Sequence, residues 1–248
     1  MKRVLITAGA SGIGLAMAQA FATADHQVWV TDVDADALAT LPAGIEGRLC
    51  DASDEVRVAE VMAEAGSLDV LCANAGIAGP TALLEDVAIK DWQACVSVNL
   101  EGAFLAAKHA LPAMKAAGRG AIIFTSSTAG TFGYPNRAPY AAAKWAIIGL
   151  MKTVAMEVGP HGVRANAICP GAVEGARMEG VLMREAAVKG MTRDQVYDGY
   201  AAGTSMRSFV KAQDIADMAV FLASDAARMV SGQVIAVDGH TENPDPKV

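Results

Sequence analysis

No two cysteines in this chain are close enough in sequence to grip a metal together or to shuttle a disulfide. Cys50, Cys72, Cys95 and Cys169 form no C-x-x-C pair. That excludes a zinc ribbon or redox dithiol and leaves small buried hydrophobes of a reducing compartment. Histidine is as sparse. His26, His109, His161 and His240 make no H-x-x-H or H-E-x-x-H pattern, so no metal is expected, and only His240, just past the last strand, stands where it could approach a ligand. Positive charge is short too: 20 Lys and Arg against 27 Asp and Glu give a net charge of −7. That balance opposes a nucleic-acid or anionic-membrane partner. No apolar run is as long as a bilayer span, and the N-terminus passes directly into a strand without a signal pattern; a cytoplasmic location is expected. Nor is there a linker, charge block or repeat. The 248 residues, 53% hydrophobic, read as one α/β domain with a large core.

What is present is an alternation of strands and helices. Val4-Leu5-Ile6 is a short buried strand, and Thr7 to Gly14 turns from it into a helix over Leu15 to Ala24. Gly9, Gly12 and Gly14 let the backbone turn tightly, so that a pyrophosphate can approach the N–H groups of Ser11, Gly12, Ile13 and Gly14 at the helix start. The second strand, Gln27 to Thr31, ends at Asp32, eighteen residues after Gly14. A carboxylate there accepts hydrogen bonds from both ribose hydroxyls of an adenosine and repels a 2′-phosphate. With no Lys or Arg at Ala10, Ser11 or Val33, NAD is favoured over NADP. A third strand near Gly47 to Cys50 ends at Asp51, and a fourth, Leu68 to Ala73, runs into Asn74-Ala75-Gly76. This order predicts a parallel sheet covered on both faces, with ligands beyond the carboxyl ends of the strands. A long helical region follows from about Leu83 to Ala117, carrying Asn99 among apolar neighbours and broken locally by Pro112.

The chemistry centres on Ser127 to Lys144. Ala121 to Ser127 reads as a buried strand ending in hydroxyls, and Tyr140 and Lys144 share one helix face a turn apart. A phenol with a pKa near ~10 is a poor proton carrier at neutral pH. A fixed cation beside it favours the phenolate, and a fall of ~2 to 3 pH units takes about 3 to 4 kcal/mol. Tyr140 then serves as a general acid or base. A further strand, Val163 to Cys169, stops at Pro170-Gly171.

Taken in order, the turn Thr7 to Gly14, Asp51, Asn74-Ala75-Gly76, Asn99, Ser127, Tyr140-x-x-x-Lys144 and Pro170-Gly171 resemble the short-chain dehydrogenase/reductase family along essentially the whole chain. Tyr140 lies thirteen residues after Ser127, as in that pattern. The resemblance implies a Rossmann-like, doubly wound sheet of seven strands, the last at Gln233 to Val237. It implies that Tyr140 exchanges the proton with the substrate oxygen and that Ser127 hydrogen-bonds that oxygen. Lys144 lowers the Tyr140 pKa and holds the nicotinamide ribose, and Asn99 fixes a relaying water. Asp51 and Ala52 border the adenine, and the backbone from Pro170 to Val173 holds the carboxamide. A homotetramer is implied as well. Two positions depart from the family's pattern: Ala8 stands where its first glycine is usual, and Ala73 where a second asparagine precedes Asn74.

Residues 174–206 match the family's substrate lid. Arg177 to Lys189 has apolar positions at Met178, Val181, Leu182 and Val188, and Thr192 with Gln195 predicts a capping box for a second helix. Arg177, Arg184 and Arg193, with Arg137 before Tyr140, lean towards a small polar or anionic substrate, and Arg137 and Arg177 are the candidates for contacting it. Met178, Met183 and Met206 lean towards an apolar one. The expected activity is hydride transfer between NAD(H) and a secondary alcohol or ketone such as a polyol, sugar or hydroxy acid. The alternatives are 3-oxoacyl reduction, which usually employs NADPH, a non-catalytic NAD-binding regulator, and a lyase or epimerase using transient oxidation.

Overall fold

The strand Arg3–Thr7 (β1) divides its side chains between two cores. Val4 and Ile6 point to one face and Leu5 to the other, all fully buried, as a strand covered on both sides requires. The computed structural model describes residues 1–245. The remaining strands are Gln27–Asp32 (β2), Ile45–Leu49 (β3), Val70–Ala73 (β4), Gly120–Thr125 (β5), Val163–Pro170 (β6) and Val234–Val237 (β7). They form one sheet in the order β3-β2-β1-β4-β5-β6-β7, every pair parallel. The expected doubly wound topology is therefore present. Its order reverses between β1 and β4, which opens a crevice at their carboxyl ends.

The helices are Gly12–Thr23 (α1), Ala35–Ala39 (α2), Glu55–Ala65 (α3), Ile89–Val96 (α4), Gly102–Ala117 (α5), Ala138–Val158 (α6), Ala176–Lys189 (α7), Arg193–Ala202 (α8) and Ala212–Ala223 (α9). Apolar side chains of α3, α5 and α6 cover the Leu5 face, and those of α1 and α9 the Val4 and Ile6 face. A third, smaller cluster joins α7 to α8 through Leu182, Ala186, Val196, Tyr200 and Phe209.

The region expected as one long helix from Leu83 is subdivided. A 3-10 turn at Leu84–Asp86 precedes α4, and a π-turn, Ser97–Glu101, separates α4 from α5. Pro112 does not break α5, which runs through it. The carbonyl four residues back, deprived of its N–H donor, belongs to exposed Lys108, where water can replace the lost bond. The capping box is present: Thr192 Oγ1 accepts from Gln195 N at 3.1 Å, and Thr192 N donates to Gln195 Oε1 at 2.8 Å. On α7, Val181 and Leu182 face inward as expected, but Val188 is 48% exposed and Glu185 is buried beside Ala186.

Candidate active site

β1 ends at Thr7, whose Oγ1 accepts from the backbone N–H groups of Asn74 and Ala75, both at 2.9 Å. The Asn74 amide returns two bonds, to Thr7 O at 3.1 Å and Ala8 O at 3.2 Å. Strands β1 and β4 are thus clamped together where the crevice opens, although Ala73 stands before Asn74. A Cβ on Gly9 would lie 2.6 Å from Val30 Cβ, and one on Gly14 2.0 Å from Ala8 O. Those two glycines serve packing. Gly12 differs: it has a φ of +52° and nothing within 4 Å of where a Cβ would sit. Ser11 and Gly12 are exposed, and the Ser11 side chain makes no cap bond, so the first N–H groups of α1 are left for an anion.

Ala8 adopts φ +51°, the left-handed region that costs an L-residue about 1 to 2 kcal/mol. Replacing it with glycine removes that strain but loosens the unfolded chain by about 0.4 to 1 kcal/mol. Ala8→Gly is therefore expected to raise Tm by up to about 6 °C; a fall in a calorimetric scan would contradict this account of the turn.

Asp32 ends β2, its Oδ2 accepting from Ala10 N at 3.0 Å and its Oδ1 from Asp34 N at 3.2 Å. These bonds hold the carboxylate at the edge of the Gly-rich turn. Beyond β3, exposed Asp51 accepts from Ser53 N at 2.9 Å and Ser53 Oγ at 2.7 Å, with Ala52 buried behind it. Beyond β6, Gly171 N bonds to Val237 O at 3.0 Å, and Val173 forms a parallel bridge with Val210 through the groups on either side of it. In that pattern the N–H and C=O of Val173 itself face away from Val210.

Tyr140 and Lys144 lie on α6, with Lys144 Nζ 5.6 Å from the Tyr140 ring centroid. Lys144 is 2% exposed and donates to Thr125 O at 2.9 Å. Burial pushes the Tyr140 phenol up, but Lys144, Arg177, a hydrogen bond with Ser127, and Arg137 together bring it below its ordinary value. Burial is the first cause that lowers Lys144, opposed by Tyr140. Asn99 sits in the π-turn, fully buried, donating to Cys95 O at 2.8 Å and Ile77 O at 3.0 Å. Its Oδ1 is buried without a partner. A Cβ on Gly76 would come within 2.5 Å of that oxygen and 3.3 Å of Lys144 Nζ, so Asn99, Gly76 and Lys144 border one small space.

The fold thus brings Asn99, Ser127, Tyr140 and Lys144 together beside the crevice lined by Gly9 to Gly14, Asp32 and Asn74 to Gly76. His240 is not with them; it is exposed, with Nδ1 3.1 Å from Ser205 Oγ. Arg177 is exposed on α7 and donates to Gly76 O at 3.1 Å. Arg137 is buried against Glu185 and Tyr140. Arg193 is held by Glu179 at 2.6 and 2.8 Å. Reading the sequence missed the Thr7 clamp and buried Glu185. A hydroxyl closing β1 was the available sign of the first; nothing marked the second among the charges of α7.

A family model described as enoyl-(acyl carrier protein) reductase matches residues 7–240. The chain is 38% identical to a cis-4-hydroxycyclohexanecarboxylate dehydrogenase of Sinomonas cyclohexanicum, over 95% of this chain and 94% of that one. It is 33% identical to a D-beta-hydroxybutyrate dehydrogenase of Rhizobium meliloti, over 96% and 97%. The chain belongs to the short-chain dehydrogenase/reductase family. Among solved short-chain dehydrogenase/reductase structures, NAD+-bound xylitol dehydrogenase superposes with a TM-score of 0.92 at 28% identity, covering 96% of this chain and 98% of that one. The chain is an oxidoreductase of that family, whose fold binds a nicotinamide dinucleotide. The residues present fit such a group: Gly12 leaves open backbone at the start of α1, and Asn99 Oδ1, which is unpartnered, borders the same small space beside Gly76 as Lys144 Nζ.

Proposed function

We propose that this oxidoreductase interconverts a secondary alcohol and its ketone on a small substrate carrying a carboxylate, using NAD(H) and Tyr140 as proton carrier. The observation that carries the reading is Arg177. It is exposed, its charge reaches both Tyr140 and Lys144, and among the described residues no carboxylate forms an ion pair with it. A guanidinium so close to the reacting oxygen suits an anion on the same small molecule. Of the three dehydrogenases described above, the two compared by sequence are named for hydroxy acids, which supports this reading, and the structural neighbour is named for a polyol.

In the oxidative direction the Tyr140 phenolate takes the hydroxyl proton, and Ser127 donates a hydrogen bond to the same oxygen as negative charge develops there. Nicotinamide, when bound, supplies the hydride acceptor. Lys144 keeps positive charge beside the phenol, and its Nζ with Asn99 Oδ1 would lead the proton outward through a bridging water. Gly9, Ser11, Gly12, Ile13 and Gly14 would receive the pyrophosphate, and Asn74, Ala75 and Gly76 would flank the nicotinamide ribose. Asp51 and Ala52 would border the adenine, and Pro170, Gly171 and Val173 the carboxamide. Asp32 would accept from the adenosine ribose hydroxyls; a 2′-phosphate would meet a carboxylate with no offsetting cation, hence NAD.

The test is a panel pairing 3-hydroxybutyrate enantiomers with 2-butanol and xylitol, run with NAD and NADP in parallel on wild type and Arg177→Ala. NAD and the hydroxy acid are expected to be preferred. Arg177→Ala should raise KM for the hydroxy acid roughly 10- to 100-fold, as loss of a charge-assisted pair implies, and leave the KM for xylitol nearly unchanged, while loss of its charge beside Tyr140 moves the oxidative pH limb upward for both substrates alike. Equal KM effects on both classes would sink the carboxylate reading, and NADP preference would move the alternative, 3-oxoacyl reduction, ahead of it. A homotetramer is also proposed. Leu84, Ile89, Phe104 and Trp145, on or beside α4, α5 and α6, expose large apolar side chains, and sedimentation would count the subunits.

A further inference from the structure

Three residues before Tyr140, Arg137 is only 6% exposed. Its Cζ lies 4.8 Å from the Tyr140 ring centroid, and Nη2 donates to Ala78 O at 3.2 Å. Its other partner comes from α7: Nη1 is 3.7 Å from Glu185 Oε1, both side chains being almost completely buried. Glu185 is itself held from several sides. Tyr200 of α8 donates to its Oε1 at 2.7 Å, and Lys189, one turn along α7, lies 3.4 Å from its Oε2 and 2.6 Å from Asp245. A buried ion pair is an expensive way to fasten two helices, because both charges lose water. Apolar contact at Leu182, Ala186, Val196 and Tyr200 already joins α7 to α8. The pair's position matters more than its adhesion: it sets a cation over the phenol ring and an anion beside that cation.

We propose that Arg137, fixed over the Tyr140 ring by its bond to Ala78 O and offset in charge by Glu185, is a positioning residue for Tyr140, so that this buried pair, together with Lys144, sets how readily the tyrosine gives up its proton. The proposal rests on Tyr140 being the proton carrier. The charged and titratable groups facing Tyr140 are Lys144 on α6, Arg137 immediately before that helix, Arg177 on α7 and Tyr134 in the preceding loop. Those facing Glu185 are Arg137, Lys189, Tyr200 and Tyr134, with Asp245 beyond Lys189. Within this set Arg137 favours the phenolate, while Glu185 tempers the charge of Arg137. The two members therefore act on Tyr140 in opposite senses.

That opposition gives a test needing no substrate. Tyrosinate absorbance is titrated with NAD+ present, and the titration of the same protein carrying Tyr140→Phe is subtracted in each background. The chain has 4 tyrosines; burial pushes Tyr134 up to about 12 and Tyr200 well above its ordinary value, which keeps both out of the neutral range. In Glu185→Gln the amide oxygen still accepts from Tyr200, Arg137 is no longer offset, and Tyr140 should ionise about half a pH unit lower. In Arg137→Gln the cation is gone and Glu185 remains, so ionisation should move roughly one pH unit higher. The double variant should fall between the singles. A pair that merely braces α7 would shift both singles the same way or neither, and either result overturns the proposal. If Arg137→Gln does not fold, Glu185→Gln alone decides: a move upward, or none, is fatal. Should Tyr140→Phe retain turnover, the proton-carrier reading fails separately, since the absorbance titration does not depend on it.

Discussion

Tyr140→Phe is expected to lower kcat by at least about a thousandfold, the upper range for losing a general acid or base, while the Kd for NAD+ changes by less than about threefold. The ring, and with it the contacts to Arg137 and Lys144, is retained; only the oxygen that carries the proton is removed. The wild-type pH profile carries the same information with a sign. Tyr140 lies below its ordinary value because Lys144, Arg177, Ser127 and Arg137 outweigh the upward push of burial. Alcohol oxidation needs the phenolate, so its rate should fall as pH drops through that lowered value. Ketone reduction needs the phenol and should fall as pH rises through it. Lys144→Met removes the largest of the lowering influences and should move the oxidative limb to higher pH. Turnover preserved in Tyr140→Phe, or an oxidative limb unmoved in Lys144→Met, would reject the role given to the tyrosine.

The legible parts of this molecule were those fixed by local spacing. Short buried runs between helical stretches marked six of the seven strands, the last following from the family resemblance; the i to i+4 separation put Tyr140 and Lys144 on one face of α6, and Thr192 with Gln195 marked the start of α8. What stayed hidden depends on contacts between distant segments. The π-turn that buries Asn99 differs from the surrounding helix only by the residues in one turn, a change that hydrophobic periodicity is too coarse to register. Pro112 looks like a break until Lys108 is seen to be exposed. Glu185 resembles any outward charge on an amphipathic helix; its burial follows from Arg137, Tyr200 and Lys189 converging on it from three other positions. Of the arginines on α7 and α8, Arg177 and Arg193 are alike in sequence. They separate only when Glu179 is found holding one of them.

The Gly-rich turn carries the second large effect. Gly14→Ala would set a methyl carbon 2.0 Å from Ala8 O and 2.9 Å from the amide nitrogen of Asn74. Neither neighbour can yield cheaply. Ala8 O is backbone held by that same Asn74 amide, and Asn74 is tied to Thr7 through its own N–H. The start of α1 must therefore swing away, which separates the turn from β4 and misdirects the N–H groups meant for the pyrophosphate. Overpacking of this kind costs about 1 to 3 kcal/mol, occasionally more, so a fall in Tm of roughly 2 to 12 °C is expected, together with at least about tenfold weaker NAD+ binding as the helix N-terminus turns aside. Ala8→Gly frees the φ of the clashing residue and should recover part of both losses when combined with Gly14→Ala, a non-additivity expected only if the two residues meet. Calorimetry and NAD+ titration on the two singles and the double measure it. Strict additivity, or Gly14→Ala binding NAD+ like wild type, would mean that the turn does not hold the cofactor's phosphates against α1.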